Sequence, residues 1–430
     1  MGDGTMMGLT LNVMDMGMLS ALVILTLGSI GSFKNSKLGF YGALIALVIA
    51  FSGITVSAAH FVSYGIFILV IAIINLVSLE AIKSEIKGVD YGLVALMALA
   101  TMYIFNTGDF ALVLAALVLV SVPTYILVMV REGGANVEVG IKYITFMVLA
   151  TVLFLIGAIM LVYTKNAFDG FLYVLGYVML VLGLCLEVGV APLHEWVPDI
   201  FSSADPIPIS IIASLAKIVP FIAALWILVY TSCDLTVSIT LFTAVIAAVS
   251  MFVGNIGALT SKELGRVLGY STVANMGYVL SCFVVVAEPA FIYLALAGGL
   301  LMLFANAAGK IGFFNAIKGG GAYSPLMYIL AFSFIGVPPL MGFWGKLFIL
   351  LSLAKMEYFW LVAIVVVNSA ISIPYYVRLA TELGVDWKPN LTNFICLAAV
   401  VMVLVTVFLL PVEWFYSTME VIAQTVGIAI

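Results

Sequence analysis

Fourteen times in succession this 430-residue chain forms an apolar run of about 17–29 residues, long enough for a helix to cross a bilayer at 1.5 Å per residue. The runs fall at about 16–32, 38–58, 61–81, 90–106, 109–130, 141–163, 170–193, 206–230, 237–258, 267–286, 289–315, 324–352, 357–380 and 393–420. Only short polar or Gly/Pro-bearing segments separate them, so no stretch is long and polar enough to be a soluble domain. The chain is 65% hydrophobic and 9% charged, and a soluble core of this size could not hide that much apolar surface. The expectation is an all-α, polytopic membrane protein of about 14 transmembrane helices. The start, Met1 to Asp15, lacks the basic region and small-residue cleavage site of a signal peptide, which predicts that the first span is retained.

Basic residues set the expected orientation. Loops after odd-numbered spans, with the span edges that adjoin them, hold eleven Lys and Arg (Lys34, Lys37, Lys83, Lys87, Arg131, Lys142, Lys262, Arg266, Lys318, Arg378, Lys388), and loops after even-numbered spans hold only Lys165 and Lys355. By the positive-inside rule the odd loops face the cytoplasm, and both termini lie outside. The scattered basic residues give no nucleic-acid footprint. Cys185, Cys233, Cys282 and Cys396 form no Cys-x-x-Cys and read as packing residues, not cluster ligands.

Two of the runs are interrupted alike. Gly189-Val190-Ala191-Pro192-Leu193 and Gly336-Val337-Pro338-Pro339-Leu340 lie 147 residues apart, the first ending span seven and the second inside span twelve. Lipid offers no partner to backbone groups freed by a proline, so such a break must line protein or a wet cavity. The breaks are five spans apart and therefore cross in opposite senses. That is the plan of inverted-repeat transporters with broken helices near mid-membrane.

Ionisable side chains accompany the breaks. Glu187 precedes the first, about 26 Å along its span. Lys217 is the single charge of span eight, Lys310 lies in span eleven, and Lys346 follows the second break. Intramembrane charges are costly and mark functional sites by default. Burial disfavours the charged form of either type and can bring such groups within reach of physiological pH, whereas arginine stays protonated. Apart from Arg378, at the edge of span thirteen, the spans contain no arginine. Glu187, Lys217, Lys310, Lys346 and His194, just past the first break, therefore form a candidate proton relay. The bland alternatives are a static Glu187–Lys217 ion pair, Lys310 snorkelling to the interface from the cytoplasmic end of its span, and His194 as a helix-end cap. His60, at a span edge, reads as interfacial, and Glu138, Lys142, Glu195 and Asp199 read as solvated ends.

The run Leu186-Glu187-Val188-Gly189-Val190-Ala191-Pro192-Leu193-His194-Glu195-Trp196-Val197-Pro198-Asp199, with Leu215-Ala216-Lys217, resembles the antiporter-like membrane subunits of respiratory complex I. So do Tyr270-Ser271-Thr272, Asn275-Met276-Gly277-Tyr278 and Gly342-Phe343-Trp344-Gly345-Lys346, over roughly residues 90–380. Asn368-Ser369-Ala370-Ile371-Ser372, running into Tyr375-Tyr376 and Arg378, looks most like the N-type subunit. The resemblance extends to subunits of membrane-bound hydrogenases and multisubunit cation/proton antiporters. It implies two inverted five-helix repeats, spans four to eight and nine to thirteen, with broken helices seven and twelve. The implied division is an N-terminal three-helix segment (1–88), a first repeat (89–231), a second repeat (232–381) and a C-terminal helix (382–430). It also implies a cytoplasmic (inner) membrane location, other membrane subunits as partners, and protons, with sodium as an alternative, as the ion moved. No cofactor is expected in this chain; iron–sulfur clusters, nucleotide and quinone would belong to partner subunits.

In the family's proton path Lys217 matches the span-eight lysine and Lys346 the span-twelve group. Lys310 stands where some members have a span-eleven lysine, and Asn306 where many have histidine. Two departures stand out. The span-five glutamate position is Val118, and the span-seven lysine position is Glu187. Either Glu187 pairs with Lys217 and restores the couple one helix over, or the subunit is structural and has lost conduction. The leading expectation is a redox-driven proton translocator's membrane subunit, with a sodium/proton antiporter or hydrogenase-type subunit as the alternative.

Overall fold

The computed structural model describes residues 13–57, 62–82, 87–104, 107–132 and 134–409; His60 and the end of the last expected span lie outside them. The first three spans are α1 (Val13–Ser32), α2 (Ser36–Ser57) and α3 (Val62–Ser78). Spans four to eight are α4 (Lys87–Ile104), α5 (Phe110–Leu127), α6 (Val137–Asn166), α7 (Gly170–Val188) followed by the short α8 (Trp196–Ser203), and the pair α9 (Pro206–Leu215) and α10 (Ile218–Tyr230). Spans nine to eleven are α11 (Asp234–Thr260), α12 (Leu264–Ser281) with a 3-10 extension to Ala287, and α13 (Ile292–Gly319). Span twelve is α14 (Ser324–Ile335) plus α15 (Met341–Lys355), and span thirteen is α16 (Phe359–Ile371) plus α17 (Ile373–Leu383). The described part of the last span is α18 (Leu391–Leu409). All fourteen expected spans thus have a helical counterpart among the described residues, and eleven of them are long and apolar enough to cross a membrane.

Polar residues at the starts of the runs fix where helices begin. Asp109 accepts from Ala111 N and Leu112 N, Asp169 from Leu172 N, and Asp205 from Ile207 N, each satisfying donors that a helix start leaves open. Spans eight and thirteen are split, which the apolar runs alone did not predict. Pro220 has no N–H to give the carbonyl of Ala216, and Pro374 none to give Ala370, so the ladder fails one turn before each proline. The split in span eight falls at Lys217.

Helices α9, α10, α12 and α13 are almost wholly buried and form the centre of the bundle. Peripheral helices keep an apolar outer stripe instead. On α6 it runs through Ile141, Val148, Val152, Ile156, Ile159 and Tyr163, at helical spacing, as a lipid-facing surface requires.

The two halves are joined along one seam. Tyr173 Oη lies 2.6 Å from Thr236 Oγ1 and Tyr177 Oη 2.9 Å from Thr243 Oγ1, both between α7 and α11. Further along, Ala191 N donates to Ser250 Oγ at 3.1 Å. At the far end Asp199 on α8 receives both Lys142 of α6 (2.6 Å) and Arg266 of α12 (2.9 Å). Lys318 reaches Asp205 at 2.6 Å in the same way. Every one of these charged contacts joins groups that the alternation of spans assigns to the same side of the bilayer. Lys165, on the opposite side, reaches Tyr230 O at 2.8 Å.

Candidate proton-relay site

The two breaks are built alike. Gly189 (φ 81°, ψ 56°) and Gly336 (φ 92°, ψ 44°) both end their helices in the left-handed region, which glycine adopts without steric cost. Val190 N donates to Cys185 O at 2.7 Å, and Val337 N donates to Phe332 O at 2.9 Å, the same five-residue reach. Both X-Pro bonds, Ala191-Pro192 and Pro338-Pro339, are cis.

Ending a helix inside the bundle leaves its last carbonyls without N–H partners. A lysine takes that role at each break. Lys217 Nζ donates to Val188 O at 2.8 Å and Glu187 O at 3.4 Å. Lys346 Nζ donates to Phe334 O and Ile335 O, both at 2.9 Å. Residues 187–188 and 334–335 occupy equivalent places, the two positions before the glycine. The lysines reach them by different routes: Lys217 comes from the next span, at the α9–α10 split, whereas Lys346 comes from the second half of its own broken span. A cation at the negative end of a half-helix is also favoured by the helix dipole. Aromatic faces complete both sites, with Trp196 4.9 Å from Lys217 Nζ and Tyr278 4.8 Å from Lys346 Nζ. Trp196 Nε1 in turn donates to Leu186 O at 2.9 Å. A cavity of about 10 Å³, room for about one water, adjoins Lys217 between Val188, Phe221, Met276 and Phe283.

Glu187 does not pair with Lys217 through its carboxylate. Its Oε1 accepts from Ser121 Oγ of α5 at 2.6 Å, while Oε2 is buried with no hydrogen-bond partner among the described residues. The ion pair anticipated between spans seven and eight is replaced by a backbone contact, because Lys217 is drawn to the carbonyls of the helix end. The carboxylate nevertheless reaches the helix that lacks its own. Val118, three residues before Ser121, is 39% exposed and points out of the bundle, so Glu187 does not occupy the space that a side chain at 118 would fill.

Lys310 is fully buried and donates to Leu268 O and Ser271 Oγ of α12, so it does not snorkel to the interface. Its Nζ lies 5.4 Å from the Phe334 ring, and Phe334's own carbonyl binds Lys346. Lys310 and Lys346 thus share one residue between them. His194 stands apart: Nδ1 lies 3.3 Å from Pro192 O and its ring centroid is 6.3 Å from that of Tyr270. That hydrogen bond closes the turn at Pro192, as the helix-end cap alternative expects.

The sequence did not single out Ser121, which holds the carboxylate, or the polar group beyond Lys310. There Asn275 Nδ2 donates to Tyr376 Oη (3.0 Å), Tyr375 Oη to Asn255 Oδ1 (2.9 Å), and Asn255 Nδ2 to Asn368 Oδ1 (2.9 Å). Asn275, Tyr375, Tyr376 and Asn368 stand in the stretches that carry the resemblance.

Two oppositely directed broken helices, each closed by an ammonium, define a polytopic membrane subunit built as an inverted repeat. The chain belongs to the family described as NADH:quinone oxidoreductase/Mrp antiporter, transmembrane, whose model matches residues 107–372. It is 29% identical over 335 residues to NADH-quinone oxidoreductase subunit N of Neisseria gonorrhoeae, covering 71% of this chain and 69% of that one. Its fold is similar to a chain of respiratory complex I from Thermus thermophilus, with TM-score 0.69 and 23% identity over 90% of this chain and 97% of that one. A chain of the Mrp complex from a Dietzia species matches with TM-score 0.77 and 15% identity, covering 96% of each.

Proposed function

We propose that this chain is a membrane-arm subunit of a complex I-like respiratory assembly and passes protons along Glu187, Lys217, Lys310 and Lys346. The observation that carries the reading is the pair of lysines, each placed on the open carbonyls of a half-helix that ends inside the membrane. An ammonium in such a place can release a proton only by giving up hydrogen bonds to those carbonyls. Its charge state is therefore tied to the break's local geometry and to the field of its neighbours. Charge shifts in adjoining subunits would move protons from group to group, while water enters and leaves at the breaks.

The likeness to a subunit N supports redox coupling, with nucleotide, iron–sulfur clusters and quinone held by partner subunits. The division into residues 1–88, 89–231, 232–381 and 382–430 follows the same reading, with 89–231 and 232–381 as the two repeats. The excess of basic residues in odd loops supports a cytoplasmic (inner) membrane placement with both termini outside. A second reading, a structural subunit without conduction, is favoured by the outward-facing Val118 where a carboxylate is expected. Replacing Lys217 or Lys346 with Met in the assembled complex, reconstituted in proteoliposomes, separates the two. The relay predicts a severalfold fall in protons moved per electron pair with all subunits still present. Unchanged stoichiometry in both variants would leave only the structural reading.

A further inference from the structure

Helices α9 and α13 run in opposite directions and meet where Asn306 Nδ2 donates to Ala213 O at 3.4 Å. Lys217 lies four residues beyond Ala213, and Lys310 four residues beyond Asn306. On antiparallel helices those steps lead away from the contact on opposite sides, placing the two lysine backbones about 12 Å apart along the helix axes. Their ammonium groups are also turned toward different carbonyls, Val188 and Leu268. Something must bridge that interval if a proton is to cross it.

At this level the N-terminal segment enters the bundle. Asn75 of α3 is fully buried and donates from Nδ2 to Ser214 Oγ at 2.8 Å. Ser214 Oγ spends its single hydrogen on Ile211 O at 3.1 Å, so it must accept from Asn75, which fixes the amide with Nδ2 toward the serine. Asn306 is fixed in the same way, since Ala213 O can only accept. Both amides therefore present Oδ1 as a free acceptor. Asn75 Oδ1 and Asn306 Oδ1 are two of the buried polar atoms with no partner among the described residues. They flank consecutive residues of α9, and helices α3, α9 and α13 all touch there. A buried acceptor without a donor is unfavourable, and ordered water is the usual remedy.

We infer that Asn75, Ser214 and Asn306 form a water-binding site through which the N-terminal three-helix segment carries protons between Lys217 and Lys310. Each amide oxygen holds a water by accepting one hydrogen, and the second lone pair of Ser214 Oγ accepts another. A water so held takes a proton from one side and releases one on the other, so no charge accumulates on the amides. The N-terminal helices are then part of the path as well as a packing surface. This inference rests on the proton-relay reading.

The test uses the assembled complex in proteoliposomes, with Asn75→Leu, Asn75→Ser and Lys217→Met compared for protons moved per electron pair in H2O and D2O. Asn75→Leu fills the volume without an acceptor and is expected to lower the ratio at least threefold, with subunit content unchanged and a larger solvent isotope effect. Asn75→Ser restores a small polar group and should recover most of the ratio, which a packing role would not allow. A normal ratio in Asn75→Leu while Lys217→Met is impaired would overturn the water site alone. Normal ratios in both would overturn the relay itself. Should Asn75→Leu fail to assemble, Asn306→Leu provides the same comparison from α13.

Discussion

Substituting alanine for Gly336 tests whether the lysine–carbonyl contact matters, because the protein supplies its own control. Gly336 and Gly320 are both left-handed, at φ 92° and 73°. A side chain costs about 1–2 kcal/mol in that conformation at either site. The surroundings differ. A Cβ at 320 meets nothing within 4 Å, whereas one at 336 lies 3.1 Å from Lys346 Cδ and 3.7 Å from its Nζ. The lysine stem must then retreat by several tenths of an ångström. Its two 2.9 Å hydrogen bonds would be carried beyond about 3.2 Å, the end of the favourable range. Bonds to a charged donor contribute about 1.5–3 kcal/mol each, so weakening both adds a few kcal/mol to the backbone strain. Gly336→Ala should therefore lower the thermal midpoint of the purified complex further than Gly320→Ala, and it alone should cut proton translocation. Equal effects of the two substitutions would refute the idea that Lys346 holds the break.

Three further outcomes are expected. Glu187→Gln should reduce protons per turnover severalfold, and Ser121→Ala should reduce them less, because Oε1 loses one hydrogen bond but the carboxylate remains; an unaltered ratio in Glu187→Gln would remove it from the path. Asp199→Asn breaks bridges to Lys142 and Arg266 whose side chains are 46% and 42% exposed, so it should cost only about 1 kcal/mol, seen as a shift of less than about 2 °C in the melting of the complex. Single cysteines at Lys142 and Lys165 should be labelled by an impermeant maleimide from opposite faces of the membrane, Lys142 from the cytoplasmic side; labelling of both from one face would contradict the topology.

The spans, the paired breaks and the deep lysines were legible in the sequence because lipid imposes strict rules on length, proline and charge. What each deep group touches was not. A helix that is apolar on every side carries no sign of which face is inward, so Val118 and Ser121 read alike though one points out of the bundle and the other binds Glu187. Lys217 and Glu187 looked like natural ion partners. Sequence gives no hint that a helix ending at Val188 offers the lysine a backbone partner from the neighbouring span. Lys310 defeats the snorkelling alternative for a related reason. Its nearness to the end of its run suggested water, but α12 lies over that end and supplies Leu268 and Ser271. The splits at Lys217 and Ser372 could have been anticipated from Pro220 and Pro374, whose missing donors act one turn earlier.

The seam between the halves limits how such a protein can work. Many carriers expose their site to one side and then the other by rocking one half against its twin. Here α7 and α8 are fastened to the second half by Tyr173 and Tyr177 near one surface, by Ala191 in the middle and by Asp199 at the other surface. A rocking motion about any axis would have to tear at least one end of that row. The proposed relay therefore needs only small moving parts: lysine side chains that swing and waters that come and go within a wall that stays shut. Such a wall would let a proton pass without opening a route wide enough for a larger ion to leak.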